Sequence, residues 1–308
     1  MRVRVLGAAA GGGFPQWNAN SEACRRARTG DPAAKPATQA SIAITVDGHR
    51  WVLVNASPDL RQQIEANRCL HPRGGRRSSP IAAVVLTNAD VDAVAGLLHL
   101  REGTPFSIYG HHRVLRVLDD NPVFAVVNRE LVPRRRLEPD EPVDLADPRD
   151  LPLGPTVLPF VAPGKVPLYL EDGAAAEIDT EAMGGDTLGL EIGLDGRRMV
   201  YLANCARITA AVRERIDGAD LLFMDGTLWR DDEMIAQGVG SKTGRRMGHI
   251  SMSGPQGALA GLRDLRVGRR VFIHVNNTNP ALLADSPERA ELVRAGWEVA
   301  HDGMELEL

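Results

Sequence analysis

The segment 81–98 constrains the fold of this chain more than any other part of the sequence. It begins with a continuous apolar run at 81–86, Ile-Ala-Ala-Val-Val-Leu, which is typical of a fully buried strand. A short polar loop with carboxylates at Asp90 and Asp92 follows, and apolar residues then recur at helical spacing. Because α/β sheets bind their ligands beyond the carboxyl ends of strands, the segment predicts an α/β fold with its chemistry in this loop.

Strand and helix patterns alternate through the rest of the 308 residues. Asp-Gly turns close two predicted hairpins, and the predicted strands are 2–6, 39–46, 51–54, 106–110, 157–161, 187–194, 199–203, 220–226 and 270–274. Helices are predicted after Ser57 and at 113–118, 121–137, 208–216, 253–262 and 288–295. The proline-rich segment 138–155 is predicted to be a long loop or a weak domain boundary, and 297–308 a terminal hairpin.

Composition and charge exclude several classes of protein. A net charge of −4 and a pI of about 6.1 do not indicate binding to nucleic acid or to an anionic membrane surface. No apolar run approaches the roughly 20 residues that span a bilayer, and the first residues alternate like a strand instead of forming a signal peptide. The three cysteines, Cys24, Cys69 and Cys205, are odd in number and widely spaced, which favours a reducing cytoplasm.

Polar side chains of one chemical kind follow four of the predicted strands. If these strand ends share one edge of the fold, carboxylates and imidazoles converge there, and such a set suits a borderline or hard divalent metal ion. No cysteine belongs to the set, which argues against a closed thiolate zinc site. In chain order the residues are Asn88, Asp90, Asp92, Asn204, Asp225, His249 and His274.

Each candidate ligand also has a purely structural explanation. Asp90 and Asp92 can cap the helix that follows them, a contribution of about 1 kcal/mol. Asp225 precedes a glycine and can be a turn residue, and His249 can be a loop histidine. His274, at the end of an apolar strand, can be a hydrogen-bonded structural histidine. Acid, acid and histidine at successive strand ends are harder to obtain by capping alone, so the combination favours a metal site.

The same residues carry a resemblance to the metallo-β-lactamase superfamily. Its metal-binding loop reads Thr-His-x-His-x-Asp-His-x-x-Gly, and the corresponding positions here are Thr87, Asn88, Asp90, Asp92, Ala93 and Gly96, so that every histidine is replaced. Within the superfamily, the chain resembles the B-protein family of pyrroloquinoline quinone (PQQ) biosynthesis over essentially its whole length. The segments that carry this closer resemblance are 6–18, 55–59, 86–102, 247–251 and 272–280.

The resemblance implies one domain over residues 1–308, an αββα metallo-β-lactamase-like sandwich with a metal at the strand ends of one edge. It implies a cytoplasmic enzyme that works beside other PQQ biosynthesis proteins and is compatible with a homodimer. The implied reaction is an Fe(II)-dependent hydroxylation, with O₂ as co-substrate. The group hydroxylated is the tyrosine ring of the Glu–Tyr unit excised from the precursor peptide, and other divalent metals can substitute for iron.

The resemblance also implies roles for individual residues. Asp92 and His274 are implied to be metal ligands, and Asp225 a ligand or a bridge. Asp90 replaces a superfamily histidine and is expected near the metal or the substrate. His249 joins the implied catalytic set, although it has no assigned counterpart in the superfamily.

Two departures from the family pattern affect the expected metal content. Ala93 stands where family members carry a ligand histidine, and this loss is expected to weaken metal binding and impair activity. The chain either carries a disabling change at Ala93, which the intact remainder of the loop favours, or relies naturally on its carboxylates and His274. Many relatives also hold a structural zinc with three cysteines, and these positions here are Ala19, Ser21 and Cys24. A single thiol cannot form that site, so no structural zinc is predicted.

Two other functions remain open at this point. The missing histidines and the arginine-rich surface are compatible with a non-enzymatic carrier or export factor for the finished quinone, a tricarboxylate. A metallo-hydrolase, as in the wider superfamily, needs two metals to generate hydroxide, and the sequence lacks the three histidines of the first metal position.

Overall fold

A computed structural model describes residues 1–171 and 184–308, and these residues form two β-sheets flanked by short helices. The strands are β1 Arg2–Gly7, β2 Ser41–Thr45, β3 Trp51–Val54, β4 Ile81–Val85, β5 Ser107–Gly110, β6 Arg134–Arg136, β7 Val143–Ala146, β8 Pro152–Val161, β9 Leu188–Leu194, β10 Arg197–Leu202, β11 Leu221–Asp225, β12 Arg269–Ile273, β13 Glu298–Val299 and β14 Glu305–Glu307.

The helices lie outside the sheets and most of them are short. The α-helices are α1 Glu22–Arg28, α2 Leu60–Ala66, α3 Val91–Val94, α4 His112–Asp120, α5 Ala210–Ile216, α6 Glu233–Ala236, α7 Ala258–Gly261 and α8 Pro287–Arg294. The 3₁₀ helices are Arg68–Leu70, Ala95–Leu100, Pro122–Val126, Leu168–Leu170, Arg245–Met247 and Pro280–Leu282. No helix of the described residues is long and apolar enough to cross a membrane.

Each sheet has seven strands and combines an antiparallel part with a parallel part. The first sheet has the order β14-β1-β2-β3-β4-β5-β6, and the second has the order β13-β12-β11-β10-β9-β8-β7. Strands β3 to β6 pair in parallel, and so do strands β10 to β13. Within each sheet, the carboxyl ends of the parallel strands therefore meet at one edge, where loops can bring side chains together.

The apolar core has three main layers, which confirm the predicted αββα sandwich. The central cluster combines the facing sides of both sheets, including Val5, Tyr109, Tyr201 and Phe223. A second cluster covers the outer face of the first sheet and includes the segment 93–97. A third cluster packs α5, α7 and α8 against the outer face of the second sheet. Each sheet is thus buried on both faces, which explains its nearly continuous apolar strands.

Two predictions for the middle of the chain were wrong. Residues 121–137 form a 3₁₀ helix and strand β6 instead of one helix. Pro133, directly before β6, removes an amide donor that a continuous helix would need. Residues 138–155 are not simply a loop, because they contain β7 and the start of β8. Strand β7 lies at the edge of the second sheet, where the ladder tolerates neighbouring prolines.

Two further predictions failed nearer the carboxyl end. The helix predicted at 253–262 is reduced to α7, because Gly254 has a φ of +87° and ends any regular helix there. The predicted hairpin at 297–308 does not form. Strand β13 pairs in parallel with β12 in the second sheet, whereas β14 pairs antiparallel with β1 in the first.

Gly96 lets the chain after Asp90 and Asp92 pack directly against the residues before α2. A Cβ at this position would lie 2.1 Å from the carbonyl oxygen of Ser57, and the Gly96 amide donates to the Ala56 oxygen at 2.8 Å. We expect Gly96→Ala to lower the free energy of unfolding by about 2–3 kcal/mol in urea titrations. Gly74→Ala is the control, because a Cβ there has no neighbour within 4 Å. Equal effects of the two substitutions would contradict this explanation.

Candidate metal centre

Asp92 and His274 lie side by side although 182 positions separate them. Asp92 is in α3, just after β4 of the first sheet, and His274 directly follows β12 of the second. Its Nε2 lies 2.9 Å from Oδ2 of Asp92. The site therefore forms where the carboxyl ends of the parallel strands of both sheets meet.

Asp225, the last residue of β11, is the most deeply buried member of the site. Its Oδ2 accepts a hydrogen bond from the Cys205 amide at 2.9 Å and lies 2.8 Å from Nδ1 of His249. Its Oδ1 accepts from the amide and the hydroxyl of Thr227, at 3.0 and 2.7 Å. These donors hold the carboxylate in one orientation, as a metal-binding carboxylate requires.

The donor set suits a divalent metal ion. One ligand atom from each of Asp225, His249 and His274 lies within 4.8 Å of the others, and Asp92 adds a carboxylate beside His274. Imidazole and carboxylate donors without a thiolate match iron, zinc and related divalent ions. The residues present therefore fit a divalent metal ion, and ligands of these types bind both iron and zinc.

The acids and the histidine of the site shift the pKa values of one another. Burial raises the pKa of the Asp92 carboxyl, but the hydrogen bond and charge of His274 outweigh burial and bring this pKa below its ordinary value. Burial lowers the pKa of His274, and the Asp92 carboxylate reverses this effect, so that the pKa is raised. Burial and the charge of Asp92 both raise the pKa of Asp90.

Thr227 links three members of the site, and the sequence analysis missed it. Its hydroxyl donates to Asp225 and lies 2.9 Å from Nδ1 of His274 and 3.0 Å from Nδ1 of His249. A hydroxyl has one hydrogen, so with that hydrogen on Asp225 its oxygen accepts from the ring nitrogens. Nδ1 of His274 then carries a proton, and its Nε2 can bind a metal.

Replacing Thr227 tests this orienting role. We expect Thr227→Val to lower divalent-metal affinity about 10–100-fold, because His274 loses the acceptor that fixes its ring. Thr227→Ser, which keeps the hydroxyl, is expected to bind metal nearly as well as the unaltered chain. Titration of zinc against a chromophoric chelator measures both affinities, and a normal affinity of the valine variant would contradict the role.

The other strand ends join the same site. Asn88 donates to Oδ1 of Asn204 at 3.1 Å, which ties the loop after β4 to the loop after β10. Asp90 stands at the start of α3, but its side chain makes no capping hydrogen bond with that helix. Its Oδ1 instead accepts from the Leu168 amide at 3.4 Å. Helix capping therefore does not account for Asp90.

Ala93 and Cys24, the one cysteine kept at the structural-zinc positions, are both buried. Ala93 belongs to the apolar cluster on the outer face of the first sheet, whereas its neighbour Asp92 faces the cavity. Cys24 lies in α1, with Sγ 3.9 Å from Oδ1 of Asn277, and Ser21 caps this helix by accepting from the Cys24 amide. The absence of a structural zinc stays a prediction.

A cavity of about 650 Å³ opens onto the candidate ligands. Asp90, Asp92, His249 and His274 line it, so the four predicted catalytic residues face one space. Asp225 lies behind His249, fully buried. The backbone of His274 has a φ of +63°, a conformation that costs a non-glycine residue energy and recurs at functional sites.

Known proteins were compared with this chain. The Beta-lactamase superfamily domain matches residues 50–275. Coenzyme PQQ synthesis protein B of Gluconacetobacter diazotrophicus is 55% identical over 302 residues, which cover 98% of each chain. The protein of the same name from Methylorubrum extorquens is 52% identical over 311 residues and all of both chains. The chain belongs to the coenzyme PQQ synthesis protein B family.

Solved structures agree with membership of the coenzyme PQQ synthesis protein B family. The crystal structure of Zn²⁺-bound PqqB from Methylobacterium extorquens is 51% identical, covers all of both chains and superposes with a TM-score of 0.94. A diphosphatase from the PhnP family, 22% identical with a TM-score of 0.69, shares the fold alone. The sequence resemblance and the predicted metallo-β-lactamase fold are both confirmed. The family name supports a role in PQQ biosynthesis, and the fold supports a metal-dependent enzyme.

Proposed function

We propose that this chain is an Fe(II)- and O₂-dependent hydroxylase of PQQ biosynthesis. Its substrate is the Glu–Tyr unit excised from the precursor peptide, and the tyrosine ring is the group that gains oxygen. The observation that carries the proposal is the convergence of Asp92, Asp225 and His274 at one edge of the sandwich. Asn88 and Asp90 take the place of first-position histidines, so the arrangement suits one metal ion more than two.

The residues of the chain have distinct tasks in this proposal. Asp92, Asp225 and His274 would hold the ion, and Thr227 orients the His274 ring. Bound iron would supply the activation of O₂, with open positions for oxygen and substrate. Nδ1 of His249 contacts Oδ2 of Asp225. His249 also lines the cavity that would receive the substrate.

The proposal also covers the domain organisation, location, partners and metal affinity of the protein. Residues 1–308 act as one domain in the cytoplasm, beside the other PQQ biosynthesis proteins and with a homodimer allowed. Ala93 lowers metal affinity relative to a family member with a histidine there, so this chain is impaired. Other divalent ions can occupy the site without supporting the reaction.

One oxygen atom of O₂ enters the ring and the other leaves as water, so the reaction also consumes two electrons and two protons. Anaerobic loading with Fe(II), followed by O₂, a two-electron reductant such as ascorbate and a Glu–Tyr dipeptide, tests the reaction. The expected product is the dihydroxyphenyl form of the dipeptide, detected by mass spectrometry and increased in an Ala93→His variant. Asp92→Asn is the matched control and is expected to give none. Absence of this product from iron-loaded Ala93→His protein would overturn the proposal.

A carrier of the finished quinone is the second candidate function. The observation that favours it is that Lys165 and Lys242 line the cavity, because the quinone is a tricarboxylate and these side chains are cationic. Tight, metal-independent binding of the quinone without any hydroxylated product would favour the carrier. The metallo-hydrolase alternative is weaker, since Asn88 and Asp90 do not provide its first metal position.

A further inference from the structure

The basic side chains that line the cavity beside the candidate ligands are lysines, although most basic residues of the chain are arginines. The chain has 36 basic residues, and only Lys35, Lys165 and Lys242 are lysines. Two of these three, Lys165 and Lys242, line the cavity, and no arginine of the described residues does. In an arginine-rich chain, this placement points to a task for compact ammonium groups.

Both lysines meet at one carboxylate. Nζ of Lys165 lies 2.8 Å from Oε1 of Glu171, and Nζ of Lys242 lies 3.1 Å from Oε2. Glu171 is only 8% exposed. Burial raises the pKa of Glu171, but the two lysines outweigh burial and hold this pKa below its ordinary value. Within this cluster of described residues, the single carboxylate of Glu171 therefore faces two ammonium groups, and Asp90 lies near enough for the charge of Lys165 to act on its pKa.

The ammonium groups also keep donors for a ligand. An ammonium has three N–H donors. Among the described residues, Lys242 has one acceptor, Glu171, and Lys165 has Glu171 and the Val166 oxygen at 3.3 Å. Counting partners in 1–171 and 184–308, both lysines thus keep donors for a carboxylate in the cavity, and hydrogen bonds between charged groups are strong.

The segment that carries Lys165 and Glu171 is hydrogen-bonded to the loop that contains Ala89 and Asp90. Tyr169 donates its hydroxyl to the Ala89 oxygen at 2.6 Å, and the Leu168 amide donates to Asp90. Leu168 and Tyr169 also line the cavity, together with Val91, Met234 and Met247. The cavity therefore combines an apolar wall with a cationic end, next to the candidate metal ligands.

We propose that Lys165 and Lys242, held together by Glu171, form a carboxylate-binding subsite that orients an aromatic substrate. A carboxylate of the substrate binds the two ammonium groups, and its ring lies along the apolar wall toward Asp92 and His274. The inference rests on the proposed function for the tyrosine ring, and it adds the residues that select a carboxylate-bearing substrate.

Calorimetric titration of the metal-free full chain tests the subsite without any turnover. The ligands are the Glu–Tyr dipeptide, its diamide, which keeps the amino group but lacks both carboxylates, and, in a second arm, the finished quinone. We expect the unaltered chain to prefer the dipeptide over the diamide, and we expect Lys165→Gln and Lys242→Gln each to weaken dipeptide binding about 10–100-fold. Lys35→Gln is the matched control, because Lys35 is exposed and outside the cavity, and its affinity is expected to stay unchanged.

The outcomes separate this inference from the proposed function. Lys242 is 38% exposed, so Lys242→Gln should keep the fold, and thermal unfolding checks both variants. Equal affinity for dipeptide and diamide together with no lysine-dependent binding of the quinone would overturn the subsite, and so would unchanged affinity of Lys242→Gln for every ligand that binds the unaltered chain. Lysine-dependent binding of the quinone alone would support the subsite and contradict the hydroxylase.

Discussion

Replacement of His274 by alanine is expected to lower divalent-metal affinity by about a hundredfold or more. The imidazole supplies the Nε2 donor beside Asp92, and its Nδ1 is fixed by Thr227. Loss of the ring removes a ligand and leaves the Asp92 carboxylate without its hydrogen-bond partner. Competition with a chromophoric chelator measures the change for zinc and for Fe(II) under anaerobic conditions.

Another histidine of the chain serves as the control for this prediction. His49 is exposed and lies between β2 and β3, so His49→Ala is expected to leave metal affinity unchanged. Because metal that binds only the folded state stabilises it, added zinc should raise the melting temperature of the unaltered chain and of His49→Ala. It should not raise the melting temperature of His274→Ala. Equal metal affinity of all three proteins would show that the ion binds elsewhere.

The substitution Ala93→His is expected to raise Fe(II) affinity by about tenfold or more, the reverse of losing a ligand. It would complete a set of two imidazoles and a carboxylate around Asp92 and His274, as in non-haem iron oxygenases. The gain must exceed a cost in packing, because Ala93 now belongs to a buried apolar cluster. Anaerobic titration and elemental analysis of the purified protein measure the result.

Ala93→Leu separates ligation from filling of space. Leucine adds volume at the same position without a donor, so its metal affinity is expected to match that of the unaltered chain. If Ala93→His also failed to bind iron more tightly, the site of this chain would be complete with Asp90, Asp92, Asp225 and His274. Impairment by Ala93 would then be rejected.

The sequence was most informative where burial dictates residue type. The apolar run before Asp92 and the alternation of strands with helices predicted an α/β fold, and the resemblance to the metallo-β-lactamase superfamily predicted the layers of the sandwich. Predictions failed where edges and turns decide the outcome, as in β7, where the flanking Pro142 and Pro148 suggested a loop although an edge strand tolerates prolines beside it.

Within the site, the sequence could indicate the ligands but not the groups that position them. Asp92 and His274 stood out because charged side chains rarely follow apolar strands without reason. Thr227 gave no such signal, since a threonine after Asp-Gly looks like any turn residue. Its hydrogen bond to a histidine 47 positions away depends on packing of the strands. The left-handed backbone of His274 is likewise a property of the folded chain.

The two candidate ligands Asp92 and His274 belong to different sheets, and this placement sets an order of events during folding. Asp225, His249 and His274 come from the second sheet and its loops, and Asp92 comes from the first, so the full ligand set exists only once the two sheets have packed face to face. Once bound, an ion would act as a removable cross-link that closes a loop of 182 positions. The apolar core already packs the two sheets together, and metal supply would add to the stability of the sandwich.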